Sequence, residues 1–134
     1  MSIEVGQYLI KQTRIYSGSF AYKHVYGTNE TDVSALFSSY NLTGSDAREL
    51  TVHFDIRNIQ GDASTPNVIV RVKEKIDGTN DCTLDTLTVS PSDSPGIVVG
   101  PLITHRDIKI TFQLSASLTL DNQSVPYTIE RRTL

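Results

Sequence analysis

Residues Asp107 to Asp121 read DIKITFQLSASLTLD, with an apolar side chain at every even position: Ile108, Ile110, Phe112, Leu114, Ala116, Leu118 and Leu120. Lys109, Thr111, Gln113, Ser115, Ser117 and Thr119 stand between them. A period of two places the sets on opposite sides of an extended chain, so the stretch predicts a strand with one dry and one wet face. No side chain in it is arranged for covalent or acid–base chemistry. So much sheet with so little reactivity points to a surface or assembly role.

At about 3.3 Å per residue this run would span roughly 45 Å. A compact chain of 134 residues has a radius of gyration of about 14 Å. The strand is therefore expected either to bend at Ser115, Ala116 and Ser117 and serve two sheets, or to protrude and offer an edge to a neighbour.

The same period recurs. Leu50, Val52, Phe54 and Ile56 alternate with Thr51, His53, Asp55 and Arg57, and Val68, Val70 and Val72 alternate with Ile69, Arg71 and Lys73. Val125, Tyr127 and Ile129 repeat it around Pro126, which has no N–H for a ladder and so marks an edge strand or a bulge. Weaker strands are predicted over Gln7 to Tyr16, Gly18 to Tyr26, Cys82 to Val89 and Gly96 to Val99. Asp77 and Gly78 supply a tight reversal, whereas NIQGDASTPN and SPSDSPG read as longer loops. TDVSALFSS predicts a short helix with Thr31 or Asp32 as N-cap. The expectation is one all-β domain over residues 1–134. It is an antiparallel β-sandwich or jelly roll of about eight strands, with one short helix and short terminal arms.

Twelve lysines and arginines against fifteen carboxylates give a formal charge of −3. With no basic cluster, nucleic acid is not an expected partner. MSIEVGQYLIKQTRIYSGSF lacks the basic start, apolar run and small-residue site of a leader, and no window approaches about 18 apolar residues. The chain is expected to be made in a cytoplasm and to carry no membrane anchor. Cys82 is the lone cysteine, so no internal disulfide is expected, and a domain of this size needs none to build a core.

His24, His53 and His105 lie far from one another and from Cys82, without the close ligand pairing of a zinc site. His53 falls on the polar parity of its strand and reads as solvated. THRD brings His105 near Asp107, but no nucleophile motif accompanies it, and YSGSF lacks the G-x-S-x-G pattern. DGTNDCTLD offers Asp77, Asn80, Asp81 and Asp85 without calcium-loop spacing, so a hairpin turn is expected. Asn29, Asn41 and Asn122 sit in glycosylation patterns that read as chance. No catalytic residue, metal or cofactor is expected.

One segment remains. In YSGSFAYKHVYG, Tyr16, Phe20, Tyr22, His24 and Tyr26 share one parity, so an aromatic stripe either lines the core or presents a surface to sugar rings or a protein. Tyr16, Phe20, Tyr22 and Tyr26, with Arg131 and Arg132 near the C-terminus, are the candidate partner-binding residues.

The phrases VIVRVKEKIDGTND, SPGIVVGPL, DIKITFQLSAS and VPYTIERR, spread over roughly the second half of the chain, resemble small β-sandwich proteins from the structural gene modules of tailed bacteriophages. The resemblance implies a non-enzymatic virion protein, most of all a capsid decoration protein on the outer head surface. Its partners would be the major capsid protein or other virion proteins, and it would act as a homo-oligomer, with a trimer favoured. The alternatives are a carbohydrate- or receptor-binding module of a phage tail and a head-closure or neck protein. Ser2 to Ile10 and Val125 to Leu134 are the expected material for pairing with a neighbour.

Overall fold

A computed structural model describes residues 13–37, 42–59, 66–77, 79–118 and 121–134. The strands among them are β1 (Thr13–Tyr22), β2 (Thr31–Asp32), β3 (Arg48–Asp55), β4 (Val68–Lys75), β5 (Asp81–Val89), β6 (Gly96–Thr104), β7 (Ile108–Leu114) and β8 (Gln123–Thr133). Sheet A has the order β1-β8-β3-β6 and sheet B the order β2-β7-β4-β5. Every pairing is antiparallel. The first strand pairs with the last, and the others nest inside: β2 with β7, β3 with β6, β4 with β5. A long hairpin wrapped on itself in this way is a jelly roll.

The two-residue period explains the core. Leu50, Val52 and Phe54 of β3, Val68, Val70 and Val72 of β4, and Val125, Tyr127 and Ile129 of β8 are all buried. So are Ile108, Ile110, Phe112 and Leu114 of β7. At the centre, Phe54 meets Phe112 edge-on with ring centroids 5.0 Å apart, and Phe20 meets Phe112 at 6.0 Å. Aromatic rings favour this geometry because the positive edge of one faces the negative face of the other.

In its described residues the long alternating run neither bends across both sheets nor protrudes. β7 stops at Leu114, where Ser115 donates its N–H to the Asn67 carbonyl at 3.0 Å and its hydroxyl accepts the Asn67 N–H at 2.8 Å. Leu118 is buried all the same, because the chain past the turn still covers the core; residues 119 and 120 lie outside the described residues. The wet face is also drier than its pattern implies. Thr111 is buried, and its hydroxyl donates to the Glu30 carboxylate at 2.9 Å.

Other expectations are corrected in detail. In place of a helix, the described part of TDVSALFSS holds β2 and a single 3-10 turn, Ser34–Leu36, whose Ala35 N–H donates to Asp32 Oδ1 at 3.3 Å. β1 runs through the Ser17–Gly18 junction that was expected to divide two strands, and residues before Thr13 lie outside the described set. β6 extends past Val99 to Thr104. Val125 to Leu134 is not a free arm, since β8 sits between β1 and β3 inside sheet A. Pro126 is tolerated in that inner strand because the β3–β8 ladder ends at Phe54 and Tyr127, so Pro126 pairs only with Ser19 of β1.

Candidate assembly surface

The aromatic stripe divides between core and margin. Phe20 is 6 % exposed and Tyr22 fully buried, so neither side chain is within reach of a partner on the folded domain. Tyr26 leaves the strand in a 3-10 turn and packs edge-on against Tyr22 at 5.0 Å, and Tyr16 is partly buried against the core. Burial pushes the Tyr22 phenol above its ordinary pKa, with the Thr31 side chain opposing. Parity placed these rings on one face; it carried no information on which way that face points.

Arg131 and Arg132 are engaged at the end of β8. Arg131 donates to Asp46 at 2.5 Å and Arg132 to Glu49 at 2.6 Å. The Arg131 guanidinium holds the Asp46 carboxyl below the usual carboxylate range. The three histidines stay apart in space as in sequence. His53 lies 3.7 Å from Glu130, His24 donates Nδ1–H to the Leu118 carbonyl, and His105 is exposed. Asp77 forms the β4–β5 turn, accepting the N–H groups of Thr79 and Asn80 at 3.0 and 2.7 Å, which lowers its pKa. Gly78 lies outside the described residues. No group of three or more metal-ligating side chains forms among the described residues.

Sequence reasoning missed Arg48. It is fully buried, and its guanidinium donates to the carbonyls of Leu42, Gly44, Asp46 and Arg106 at 2.8–3.4 Å. The fork geometry of arginine suits several acceptors at once, so one side chain ties the 42–48 loop to the turn before β7. The signal was present: Arg48 shares the parity of Leu50, Val52 and Phe54, where a charged residue has to find acceptors.

Glu30 forms a second polar knot. Its carboxylate contacts Lys73, lies 3.6 Å from Arg71 and accepts the Thr111 hydroxyl. Lys73 is the chief reason its pKa is lowered. Gln113 adds a bond to the Thr28 carbonyl at 3.1 Å, so the 28–31 segment is fixed to β7 and β4.

The sheet margins differ. The free side of β7 is covered by more than the short β2, because the Ile110 carbonyl accepts Val33 N–H at 3.0 Å and the Leu42 carbonyl accepts Ile108 N–H at 2.9 Å. Among the described residues, the other flank is open. There β5 and β6 are both edge strands, and Thr104 at the end of β6 donates to Glu74 near the end of the inner strand β4 at 2.9 Å, tying the margin of sheet A to sheet B. β5 is exposed over most of its length. Leu84, Val98 and Ile103 on these two strands are 41 %, 53 % and 67 % exposed. An uncovered edge with apolar side chains offers backbone donors and acceptors to another strand.

No protein-family model matches the chain, and no curated protein matches its sequence. Among solved structures, the chain is similar to a Bacillus endospore appendage protein of a family of disulfide-linked pili. Identity is 14 %, coverage is 93 % of this chain and 91 % of that one, and the TM-score is 0.49. It is also similar to a chain of the acid-stable capsid of a Helicobacter pylori bacteriophage, at 16 % identity, 93 % and 94 % coverage and a TM-score of 0.44. For a Yersinia pseudotuberculosis-derived mitogen the values are 9 % identity, 93 % and 88 % coverage and 0.43. Identities this low carry no role from those proteins to this one.

Proposed function

We propose that this chain is a non-enzymatic structural subunit of a virion, acting as a capsid decoration protein that binds the outer head surface as an oligomer. The observation that supports this reading is the open β5/β6 flank, where two sheet margins and the exposed Leu84, Val98 and Ile103 stand together. Two of its four phage-like phrases border this flank, since VIVRVKEKIDGTND and SPGIVVGPL contain the β4–β5 turn and most of β6, whereas DIKITFQLSAS and VPYTIERR fall mainly in the inner strands β7 and β8. Such a subunit works by fitting a repeated surface, so it needs rigid strands and unguarded margins rather than a reactive pocket.

The test is saturable binding to capsids that lack the protein. The purified chain is expected to bind them at a fixed number of copies per capsid and to co-sediment with them. Failure to associate with capsids at any concentration removes the decoration role. Binding to glycans by the isolated chain, with no capsid binding, supports the tail receptor-binding alternative instead.

A further inference from the structure

Charge is unevenly distributed between the two flanks of the sandwich, the carboxylates of one flank lying on and around β5 of sheet B and in the connection to β6 rather than on β6 itself. Residues 76–104, which contain β5, the connection after it and β6, hold Asp77, Asp81, Asp85 and Asp93 and no lysine, arginine or histidine. Residues 5–29, which contain β1, hold Lys11, Arg14 and Lys23 and no carboxylate. Among the described residues, Arg14 and Lys23 are exposed, one near each end of β1. Asp32 and Asp121 lie near that margin, where Asp121 already interacts with the Lys23 charge, and both accept local hydrogen bonds, as Asp77 and Asp85 do on the other flank. Asp32 accepts bonds from Ser34 and Ala35, and Asp121 from the N–H groups of His24 and Asn122.

The exposed apolar side chains follow the same two margins. Residue pairing runs in rows across the sheet: Thr13, Arg132, Glu49 and Ile103 form one row, and Ser17, Thr128, His53 and Val98 another. Ile15, 64 % exposed, lies in the row between them with Glu130 and Thr51. Ile15, Val98 and Ile103 therefore share the outer face of sheet A, with Ile15 at one edge and the other two at the opposite edge. A second copy placed beside the first along the same rows brings its Ile15 between Val98 and Ile103.

Strand direction permits that placement. β1 is antiparallel to β8, β8 to β3 and β3 to β6. A neighbour in the same orientation thus sets its β1 antiparallel to β6 and continues the alternation. At about 3.3 Å per residue, Arg14 and Lys23 are about 30 Å apart along their strand. On the acidic flank Asp81 is already paired with Lys109 at 3.3 Å, which leaves Asp85 on β5 and Asp93 in the connection to β6, besides Asp77 in its turn, as the exposed carboxylates without an ion pair among the described residues. Pro101 has no N–H and interrupts the β6 edge, so side chains and charge carry much of the contact.

We propose that copies of this chain join head to tail, the basic β1 margin of one subunit docking on the acidic β5/β6 margin of the next. A heterologous contact of this kind closes into a ring when its rotation allows and otherwise extends into a filament. The inference deepens the assembly reading above but does not depend on a capsid, and it is tested on the isolated protein.

Two double variants separate the margins: Arg14→Glu with Lys23→Glu, and Asp85→Lys with Asp93→Lys. None of these four side chains belongs to an ion pair among the described residues. Wild-type protein is expected to sediment as oligomers in dilute salt, with a dissociation constant weakened at least about tenfold at about 0.5 M salt, where the screening length falls to a few ångströms. Each variant alone is expected to sediment as a monomer. Their equimolar mixture sets doubly acidic subunits against doubly basic ones and is expected to restore oligomers, which misfolded proteins would not do. Wild-type protein that stays monomeric at about millimolar concentration in dilute salt overturns the inference. So do oligomers that persist in either variant alone, and so does a mixture that fails to assemble while wild type does. Head-to-tail oligomers that ignore capsids leave this inference standing and remove the decoration role.

Discussion

Gly18 and Tyr127 are partners across β1 and β8, and the tyrosine ring occupies the space a side chain at position 18 would need. A Cβ there would lie 2.6 Å from the phenol oxygen and 2.8 Å from Cζ. Gly18→Ala is therefore expected to force the ring out of place and cost about 1–3 kcal/mol, the usual range for overpacking. At Gly96 a Cβ meets nothing within 4 Å, so Gly96→Ala is expected to change stability by no more than about 0.5 kcal/mol. Urea midpoints of the two variants check the contrast, and an unaffected Gly18→Ala would refute the packing described for Tyr127.

Arg48 holds four carbonyls at once. Arg48→Met removes the charged donor from all four, although the Leu42 carbonyl keeps its bond from Ile108 N–H, and each hydrogen bond to a charged group is worth roughly 1.5–3 kcal/mol. Arg48→Lys is expected to rescue little, because one ammonium does not reproduce a planar fork. Equilibrium unfolding of both variants is the measurement. A lysine variant as stable as wild type would show that the charge alone suffices.

Glu30 gives a pH dependence with a definite sign. Its folded pKa is lowered chiefly by Lys73, so its contribution is complete above the unfolded value of about 4.3 and disappears as pH falls through the lower folded value. The side chain is 32 % exposed, which limits the gain to about 1 kcal/mol or less. Wild type is expected to exceed Glu30→Gln in stability at pH 7, with the difference closing as pH falls below about 4. A difference that persists unchanged at pH 2.5 would contradict the ion-pair origin.

Leu114 is 1 % exposed at the end of β7. Leu114→Asp places a carboxylate among apolar neighbours and is expected to abolish cooperative folding, read from the loss of a thermal transition. A soluble, cooperatively melting variant would overturn the inward phase of β7.

Period and turn chemistry made most of the sandwich legible. Val68 to Val72 and Leu50 to Phe54 could satisfy their alternation only as half-buried strands, and Asp77 announced its turn. Strand ends were less visible, because Ser115 stops β7 through bonds to Asn67, a residue remote in sequence. The place of β8 inside sheet A was hidden for a similar reason. Pro126 marked a lost donor correctly, but only the ladder shows that β3 has already ended there. The margins were partly legible. The run without basic residues from 76 to 104 is plain in the sequence, whereas its opposition to Arg14 and Lys23 emerges only when β1 falls at one edge of sheet A and β5 and β6 become edge strands of the two sheets.

Electron cryomicroscopy of particles carrying this chain tests the assembly role most directly. The expected map shows the eight-stranded sandwich repeated on the outer head surface, each β1 margin facing the β6 margin of a neighbouring copy. A map without it on the head, or with isolated copies whose β1 and β6 margins both face solvent, would contradict the account.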